Sequence, residues 1–286
     1  MIEEKNNYFT SNEIICAYEQ IPDLLRTRYI ITDYSTNKND IRTCSLENLD
    51  LKNVKTVLEL GCGYGFFVEK LYSRLHQDAK ITGIDLVNNN REIYLHSIAT
   101  TGYSGDFICD DAHIIQNFDS EMYDLIISSY SLYFFPYLIK ELSRLLKKNG
   151  IFIAITHSKY SLHEIIELLP LCISQFSKIQ IDEFHIQKLF SAFSLENGLS
   201  QLQPYFKTIE KISYANKIKF PFNSLNDCIS YLNKKKNLIY KDISSFDPHD
   251  IVGIESCIEK KIFDFGKNNN GIELTKDDAI FRCFKC

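Results

Sequence analysis

Short apolar runs alternate with amphipathic segments between residues 56 and 155 of the chain. The first run, residues 57–60, leads into a glycine-rich turn, and apolar residues then recur at helical spacing. Four more candidate strands follow, at residues 80–85, 107–109, 123–129 and 151–155. Runs this short and continuous are typical of strands buried on both faces. Five strands alternating with helices predict an α/β fold with a doubly wound parallel sheet and right-handed crossovers.

Helices are predicted before and within this core. Thr10 and Glu13 form a capping-box pattern, which starts a helix that should end near Gln20 and Pro22. A second helix is expected at residues 23–29. Helical segments are also expected at residues 46–51, after the glycine turn (Val68, Leu71, Tyr72, Leu75), at 89–100, and at 136–148 with Asn149-Gly150 as the stop.

The pattern changes after His157. Residues 158–204 are mostly helical in pattern and form an insertion before a sixth strand at 206–214, two further helices at 220–266, a flexible turn at 268–271 and a last strand at 279–285. The predicted organisation has four parts: an N-terminal helical cover (1–45), a ligand-binding core (46–157), a helical lid insertion between strands five and six (158–206), and the end of the core with strands six and seven and extra helices (207–286). A dimer surface is the alternative role for the insertion.

The glycine-rich turn has the pattern E-x-G-C-G-x-G, with Glu59, Gly61, Gly63 and Gly65. Glycines allow a tight turn and close approach of a ligand to the backbone. The last glycine comes two positions after the middle one, whereas the dinucleotide fingerprint G-x-G-x-x-G has three. This spacing, with Glu59 ahead of it, resembles motif I of the class I S-adenosylmethionine (SAM) methyltransferases.

Later segments extend the resemblance, which covers residues 46–155 and the final strand. Asp85 ends the second strand where a ribose-binding carboxylate is expected, Asp110-Asp111-Ala112 resembles the family motif G-D-A, and residues 146–151 resemble its L-K-P-G-G turn. The resemblance implies a Rossmann-like sheet of seven mostly parallel strands, with the last strand antiparallel beside strand five. It also implies SAM as the cofactor.

The resemblance and the strand ends together indicate the residues that would hold SAM. Asp85 would accept from both ribose hydroxyls, and its alternative role is a helix N-cap, for which Asn88 is better placed. Leu86 would cover an adenine face, while Asp111 and the Ala112 N–H would bind its edge. The full set of predicted cofactor residues is Glu59, Gly61, Cys62, Gly63, Asp85, Leu86, Asp111, Ala112, Ser128 and Ser129.

Methyl transfer from a sulfonium depends mainly on alignment and exclusion of water, so a dedicated base is needed only for a protonated acceptor. His157 and Tyr130 are the candidate catalytic residues, because they follow strands five and four. A polar residue at the lid mouth and packing against the donor are their respective alternatives. His113 is expected at the cofactor rim.

Composition and charge argue against several classes of partner. The net charge is −5 and no basic stripe is present, which disfavours nucleic acid, and the run at 234–236 is interpreted as a solvated helix end. No apolar stretch is long enough for a bilayer and residues 1–4 lack a signal-peptide core, so a cytoplasmic location without membrane contact is expected. Nine scattered cysteines predict no disulfide framework, and the C-x-x-C of Cys283 and Cys286 is interpreted as chance, so no metal is expected.

The favoured function is transfer of a methyl group from SAM to oxygen or nitrogen of a small organic metabolite. Neither an N-P-P-Y-type sequence nor a Pro-Cys dipeptide occurs, which disfavours several nucleic-acid and amide methylations. An NAD-dependent oxidoreductase on a related sheet and a SAM-binding module without turnover are the alternatives. A homodimer through the insertion is a further expectation.

Overall fold

A computed structural model describes residues 8–285, except for the side chains of residues 21–24. The predictions for residues 1–4 and for Cys286 lie outside this range. Within it, seven strands form one sheet and two more form a small second sheet. The strands are β1 (Thr56–Leu60), β2 (Lys80–Asp85), β3 (Ser104–Cys109), β4 (Tyr123–Ser129), β5 (Leu146–His157), β6 (Thr208–Tyr214), β7 (Lys217–Pro221), β8 (Gly271–Thr275) and β9 (Asp278–Phe284).

The large sheet has the order β3-β2-β1-β4-β5-β9-β6. Strands β1 to β5 pair in parallel, whereas β9 pairs antiparallel with both β5 and β6. The predicted seven-stranded, mostly parallel sheet is therefore confirmed, including the antiparallel last strand beside strand five. The order reverses direction beside β1, where ligands of such sheets bind.

The strands are buried on both faces because their apolar residues alternate between two core layers. In β4, Ile126 packs into one layer while Leu125 and Ile127 pack into the other. In β5, Phe152 and Ile153 divide in the same way. Successive strand residues point to opposite faces, so a continuous apolar run supplies both layers at once.

Helices cover both faces of the sheet, since they contribute residues to both core layers. The α-helices are α1 (Ser11–Tyr18), α2 (Ile21–Tyr34), α3 (Ile41–Ser45), α4 (Arg91–Thr101), α5 (Ile139–Leu145), α6 (His163–Ile166), α7 (Leu168–Ile173), α8 (His185–Ala192), α9 (Gly198–Leu202), α10 (Leu225–Asn233), α11 (Lys236–Ile239) and α12 (Pro248–Asn269). The capping box of α1 forms as predicted, with Thr10 and Glu13 bonded reciprocally. Pro22 lies in the first turn of α2, where a missing N–H costs nothing.

Three predicted helices are wrong in type or extent. After the glycine turn only a 3-10 turn forms, Val68–Leu71, and it ends at Tyr72, whose ψ of 127° is not helical. Residues 46–51 are not helical; the helix α3 precedes them and is capped by the Asp40 side chain. The predicted helix at 136–148 consists of a 3-10 turn, Pro136–Leu138, and α5, which ends at Leu145 because Leu146 already pairs with Tyr123 of β4.

The region after β5 contains α6 to α9, as the expected insertion before strand six. The later segment has three α-helices where two were predicted. Strands β7 and β8 form a two-stranded sheet that was not predicted. The residues expected as a flexible turn, 268–271, span the short connection from the end of α12 to the start of β8. Alternating burial of the short β7 was too weak a pattern to separate from a loop.

A disulfide joins Cys172 of α7 to Cys257 of α12. Counting cysteines predicted no disulfide framework, and this single link corrects that expectation. The two residues are far apart in sequence and meet because α7 packs on α12. Among the described residues, no helix combines the length and the apolar character needed to cross a bilayer.

Candidate active site

A cavity of ≈ 1160 Å³ lies at the carboxyl ends of β1, β2, β4 and β5. The N-terminal helices, the insertion helix α8 and the segment containing α10 and α11 complete its walls. Because β9 is antiparallel, its first residue, Asp278, also reaches this edge, opposite His157 in the register. One partly open cavity therefore collects residues from N-terminal and C-terminal segments of the chain.

Most residues singled out from the sequence line this cavity. They are Glu59, Gly61, Cys62, Gly63, Asp85, Leu86, Asp111, Ala112, Ser129, Tyr130 and His157. The expected rim residue His113 also lines it, hydrogen-bonded through Nδ1 to the Tyr137 hydroxyl at 3.2 Å.

Ser128 differs from that set, because it is fully buried behind the wall. Its Oγ lies 2.7 Å from Ser131 Oγ, and Ser131 in turn donates to the Leu60 carbonyl. Ser128 therefore fixes the loop after β4, and a direct contact with a cofactor does not follow from its position. Adjacent strand residues face opposite ways, and the sequence did not show which of Ser128 and Ser129 faces the cavity.

The glycine turn combines two packed glycines with an open one. A Cβ on Gly61 would lie 2.4 Å from Ser131 Cβ, and a Cβ on Gly65 would lie 2.9 Å from Ser97 Cβ. At Gly63 nothing lies within 4 Å of that position, and Gly63 faces the cavity. All three have positive φ, a conformation that glycine adopts without strain. Side chains therefore pack closely against the turn at Gly61 and Gly65, while the backbone at Gly63 is open to the cavity.

Asp85 holds this turn in place. Its carboxylate accepts from the backbone N–H of Gly63 at 2.8 Å, from that of Val87 at 2.8 Å and from Asn90 Nδ2 at 3.2 Å. The N-cap roles considered from the sequence for Asp85 and Asn88 are not found, because neither the 3-10 turn Asn88–Asn90 nor α4 has a side-chain cap, and the bond from Val87 closes only a local turn. An ionised carboxylate has about four acceptor sites, so about one remains for a ligand in the cavity. Burial raises the pKa of Asp85, and these hydrogen bonds oppose the rise.

Glu59 is the most buried acid at this end. Within the described residues its Oε2 has no hydrogen-bond partner. Burial raises the pKa of Glu59 to about 8, because the charged form loses its hydration. A cation brought into the cavity would stabilise the ionised form of Glu59.

The end of β3 supplies the remaining predicted contacts. Asp111 caps the 3-10 turn Ala112–Asn117 by accepting from the His113 N–H at 2.9 Å. Asp110 takes the place of the family glycine and accepts from the Asp111 N–H at 2.7 Å, which supports the turn. The substitution at Asp110 therefore leaves Asp111 and Ala112 at the cavity wall.

Three polar side chains form a cluster around Asp278 where β4 and β5 end and β9 begins. Its carboxylate contacts His157 Nδ1 at 2.7 Å, Lys276 Nζ at 2.9 and 3.0 Å and the Tyr130 hydroxyl at 2.8 Å. The Tyr130 and His157 rings lie 4.6 Å apart between centroids. Tyr130 adopts a left-handed backbone conformation with φ of 59°, which is uncommon for an aromatic residue and is typical of functional sites.

The charges within this cluster are nearly balanced. Burial alone would raise the pKa of Asp278, but the Lys276 ammonium and the His157 hydrogen bond hold it below its usual range. Burial, with Lys276 second, lowers the pKa of His157 to about 4, so its imidazole is neutral at pH 7. Asp278 Oδ1 lies 2.7 Å and Lys276 Nζ 3.1 Å from His157 Nδ1; the nearer carboxylate favours the tautomer that donates from Nδ1, which leaves Nε2 as an acceptor. Burial and the Asp278 charge raise the pKa of Tyr130 well above its usual value, so its phenol keeps its proton.

Sequence reasoning missed Asp278 and Lys276, although a signal for Asp278 existed. An antiparallel last strand starts at the edge where strand five ends, so the acid that opens it had to lie near His157. Lys235 was interpreted as part of a solvated helix end, but it lines the cavity while Lys236 is exposed. Arg42 also lines the cavity, with a buried Nε that has no hydrogen-bond partner in the part of the chain described. No local pattern marks Lys235 or Arg42.

Residues 8–285 contain no group of three or more His, Cys, Asp or Glu side chains that could hold a metal ion. The arrangement offers instead a glycine turn with unpartnered polar atoms at one end and a neutral polar cluster at the other. Such a site can bind and orient two small molecules side by side.

Comparisons with known proteins agree with this architecture. The cyclopropane synthase MmaA2 from Mycobacterium tuberculosis is 15% identical, with a TM-score of 0.54 over 98% of this chain and 100% of that chain. The [4+2]-cyclase SpnF is 16% identical, with a TM-score of 0.55 over 97% of each chain. The YcgJ protein from Bacillus subtilis is 13% identical, with a TM-score of 0.53 over 85% of this chain and 97% of that chain. At such identities these similarities show a shared fold.

The curated protein sequences contain no detectable relative of this chain. A family model described as a methyltransferase domain matches residues 57–150, which include the glycine turn, Asp85, Asp111 and β4. The matched segment, the seven-stranded sheet with its antiparallel last strand and the position of the cavity agree with one another. Residues 57–150 therefore match a methyltransferase domain, and they lie within a seven-stranded sheet whose fold the compared structures share.

Proposed function

We propose that this protein transfers a methyl group from SAM to an oxygen or nitrogen atom of a small organic acceptor. The observation that carries this proposal is the single cavity that joins the glycine turn to the cluster around Asp278. Its volume of ≈ 1160 Å³ exceeds the roughly 300–1,000 Å³ of a site for one drug-sized ligand. A donor and an acceptor therefore fit in it together.

Three features of the residues around the glycine turn fit the donor. Gly63 offers open backbone, and Asp85 retains about one acceptor site for a ribose hydroxyl. Glu59 Oε2 and Ser129 Oγ are buried without partners among the described residues. Leu86, Asp111 and Ala112 would contact the adenine, as the family resemblance implies.

Arg42 and Glu59 fit the two charged groups of the amino-acid part of the donor. A guanidinium binds a carboxylate through paired N–H donors, and Arg42 has an unused, buried Nε at the cavity. A buried glutamate that lacks a partner on one oxygen fits an ammonium group. We therefore add Arg42 to the donor residues taken from the sequence.

When bound, SAM supplies a methyl group activated by a cationic sulfur. The protein aligns the acceptor with it, which can lower the barrier by roughly 7–11 kcal/mol. The aromatic side chains of Tyr133, Phe134 and Phe190 line the same cavity and exclude water. His157 presents a neutral Nε2 acceptor, and Tyr130 positions that imidazole through their shared partner Asp278. We propose His157 as an acceptor-orienting residue, with only weak base character because its pKa is about 4.

The donor assignment is tested by thermal denaturation with SAM, S-adenosylhomocysteine or NAD. We expect both sulfur nucleosides to raise the Tm and NAD to leave it unchanged. Stabilisation by NAD alone would favour the oxidoreductase alternative and overturn the proposal.

Turnover is tested with SAM labelled on its methyl group and the small-molecule fraction of a cell extract. We expect label in a small organic product, and none when the protein is heat-inactivated. Cofactor binding without any transferred label would instead indicate a SAM-binding module without turnover.

Four other expectations from the sequence stay predictions: a lid role for residues 158–206 within the fourfold division of the chain, a homodimer through this insertion, the lack of a nucleic-acid partner, and a cytoplasmic location. The lining of the cavity by Ile186, Leu189 and Phe190 of α8 supports the lid role. Light scattering of the purified chain tests the dimer.

A further inference from the structure

Near the cluster around Asp278, the cavity wall carries a cation without a counter-ion. Lys235 lines the cavity just before α11, and no hydrogen bond or ion pair of its Nζ occurs within residues 8–285. Its ammonium lies 5.4 Å from the centroid of the Tyr231 ring, which is a cation–π contact. The neighbouring Lys236 is exposed, so one lysine of the basic run faces inward and another faces solvent.

The other charges at this end already compensate one another. Lys276 and Asp278 are paired at 2.9 Å, and His157 is neutral at pH 7. Lys235 therefore leaves this part of the cavity with one net positive charge. Burial, with repulsion from Lys276 second, lowers the pKa of Lys235 to about 8, so the ammonium still predominates at pH 7.

Apolar side chains share the cavity wall with Lys235. They are Ile186, Leu189 and Phe190 of α8 and Leu238 and Ile239 of α11, two helices that pack against each other. Lys235 is half-buried, and an ammonium that has lost part of its hydration is stabilised by an anionic partner. A ligand that combines an apolar body with an anionic group would satisfy both features.

Building on the methyl transfer proposed above, we propose that the acceptor is an organic carboxylate with an apolar body, and that its carboxylate pairs with Lys235. An amine acceptor would instead meet two like charges, those of Lys235 and of the sulfonium of the donor. The negative charge of a carboxylate is attracted by both. Lys235 is thus a specificity-determining residue for the acceptor.

Binding of three probes with the same apolar body tests this inference. Octanoate, octan-1-ol and octylamine are titrated calorimetrically into the full chain saturated with S-adenosylhomocysteine. We expect octanoate to bind at least about tenfold more tightly than octan-1-ol, the ratio for one charge-assisted hydrogen bond, and octylamine to bind most weakly. The inference is overturned if the wild-type chain binds octanoate no more tightly than octan-1-ol, or if it does not measurably bind octanoate. This outcome requires no variant.

Variants of the lysine run then assign the effect to one side chain. Lys235→Met should weaken octanoate binding at least about tenfold and leave octan-1-ol unchanged, whereas Lys235→Arg should retain most of the octanoate affinity. Lys236→Met is the matched control and should change neither. Equal octanoate affinity in Lys235→Met and the wild type would refute the role of Lys235.

The affinity for S-adenosylhomocysteine separates this inference from the proposed function. It should be the same in the wild type and in all three variants, since Lys235 lies away from the glycine turn. If the wild type does not bind this nucleoside, the proposed function fails. If it binds the nucleoside but does not prefer octanoate, only the carboxylate inference fails.

Discussion

The two ends of the cavity are built in different ways. The donor end comes mainly from one stretch of about fifty residues, from Glu59 to Ala112, in which each contact lies at the carboxyl end of a strand or just after it. The acceptor end combines Tyr130, His157, Lys235 and Asp278, which come from four separate segments. The first is therefore visible as a local motif, whereas the second exists only after the last strand has paired.

The polar groups of the two ends are also stabilised differently. At the donor end, backbone N–H groups hold Asp85, while Glu59 is kept neutral by burial. At the acceptor end, side chains compensate one another, with Asp278 between Lys276 and His157. Removal of one partner should therefore cost most stability at the acceptor end, and changes at the donor end should act more on pH dependence and cofactor affinity.

The largest effect is expected from Asp278→Asn. The change leaves the buried Lys276 ammonium without its carboxylate, and breaking a buried pair costs about 3–5 kcal/mol. The measurement is the free energy of unfolding in urea at pH 7. The exposed Asp119→Asn is the control and should change it little; a loss of under about 1 kcal/mol in Asp278→Asn would show that the cluster is not a stability element.

Glu59→Gln should alter how stability depends on pH. The folded-state pKa of about 8 lies above the usual 4.5, so between these values the unfolded chain releases a proton that the folded chain keeps. The stability of the wild type should then fall by about 2–4 kcal/mol, relative to Glu59→Gln, as the pH rises from 5 to 8. Urea unfolding at several pH values measures this difference.

The exposed Glu92→Gln, which should follow the wild type at every pH, is the control for this series. Parallel stability curves for the wild type and Glu59→Gln would mean that Glu59 is ionised in the folded protein. The donor end would then depend on charge pairing, as the acceptor end does.

Asp85→Ala should weaken SAM binding by at least about 1.5–3 kcal/mol. It removes the acceptor for a ribose hydroxyl and also releases the Gly63 N–H that shapes the turn. Calorimetric titration with SAM measures the loss, and Asp119→Ala, remote from the turn, should bind normally. Unchanged affinity in Asp85→Ala would remove Asp85 from the donor site.

The smallest effect is expected from His157→Ala. Turnover should fall by about tenfold, equivalent to roughly 1.4 kcal/mol, because an imidazole with a pKa of about 4 orients the acceptor more than it removes a proton. SAM affinity should stay near normal, and the exposed His96→Ala should behave like the wild type. Kinetics identical to the wild type would exclude His157 from the acceptor end, and lost SAM affinity would show that the two ends are not separate.

The sequence predicted the donor end well because its information is local. A strand followed by a glycine turn places Glu59 and Gly63 at one edge whatever the rest of the chain does, and the ends of the next strands add Asp85 and Asp111. Two details of the donor end were not predicted. Asp85 already accepts hydrogen bonds from backbone N–H groups, and Ser128 faces away from the cavity. The hydrogen-bond partners of a side chain and the direction in which it points depend on neighbouring segments of the chain.

The sequence alone determined the order of strands and helices, the buried character of the sheet and the edge at which a ligand binds, because apolar periodicity and glycine spacing act over a few residues. Tertiary structure decided the charges at the acceptor end. Only the pairing of β9 with β5 brings Asp278 to His157, and Lys235, the residue before α11, reaches the same cavity where α11 packs against α8. Burial and electrostatic pairing between distant segments set these charges, and no local pattern encodes them.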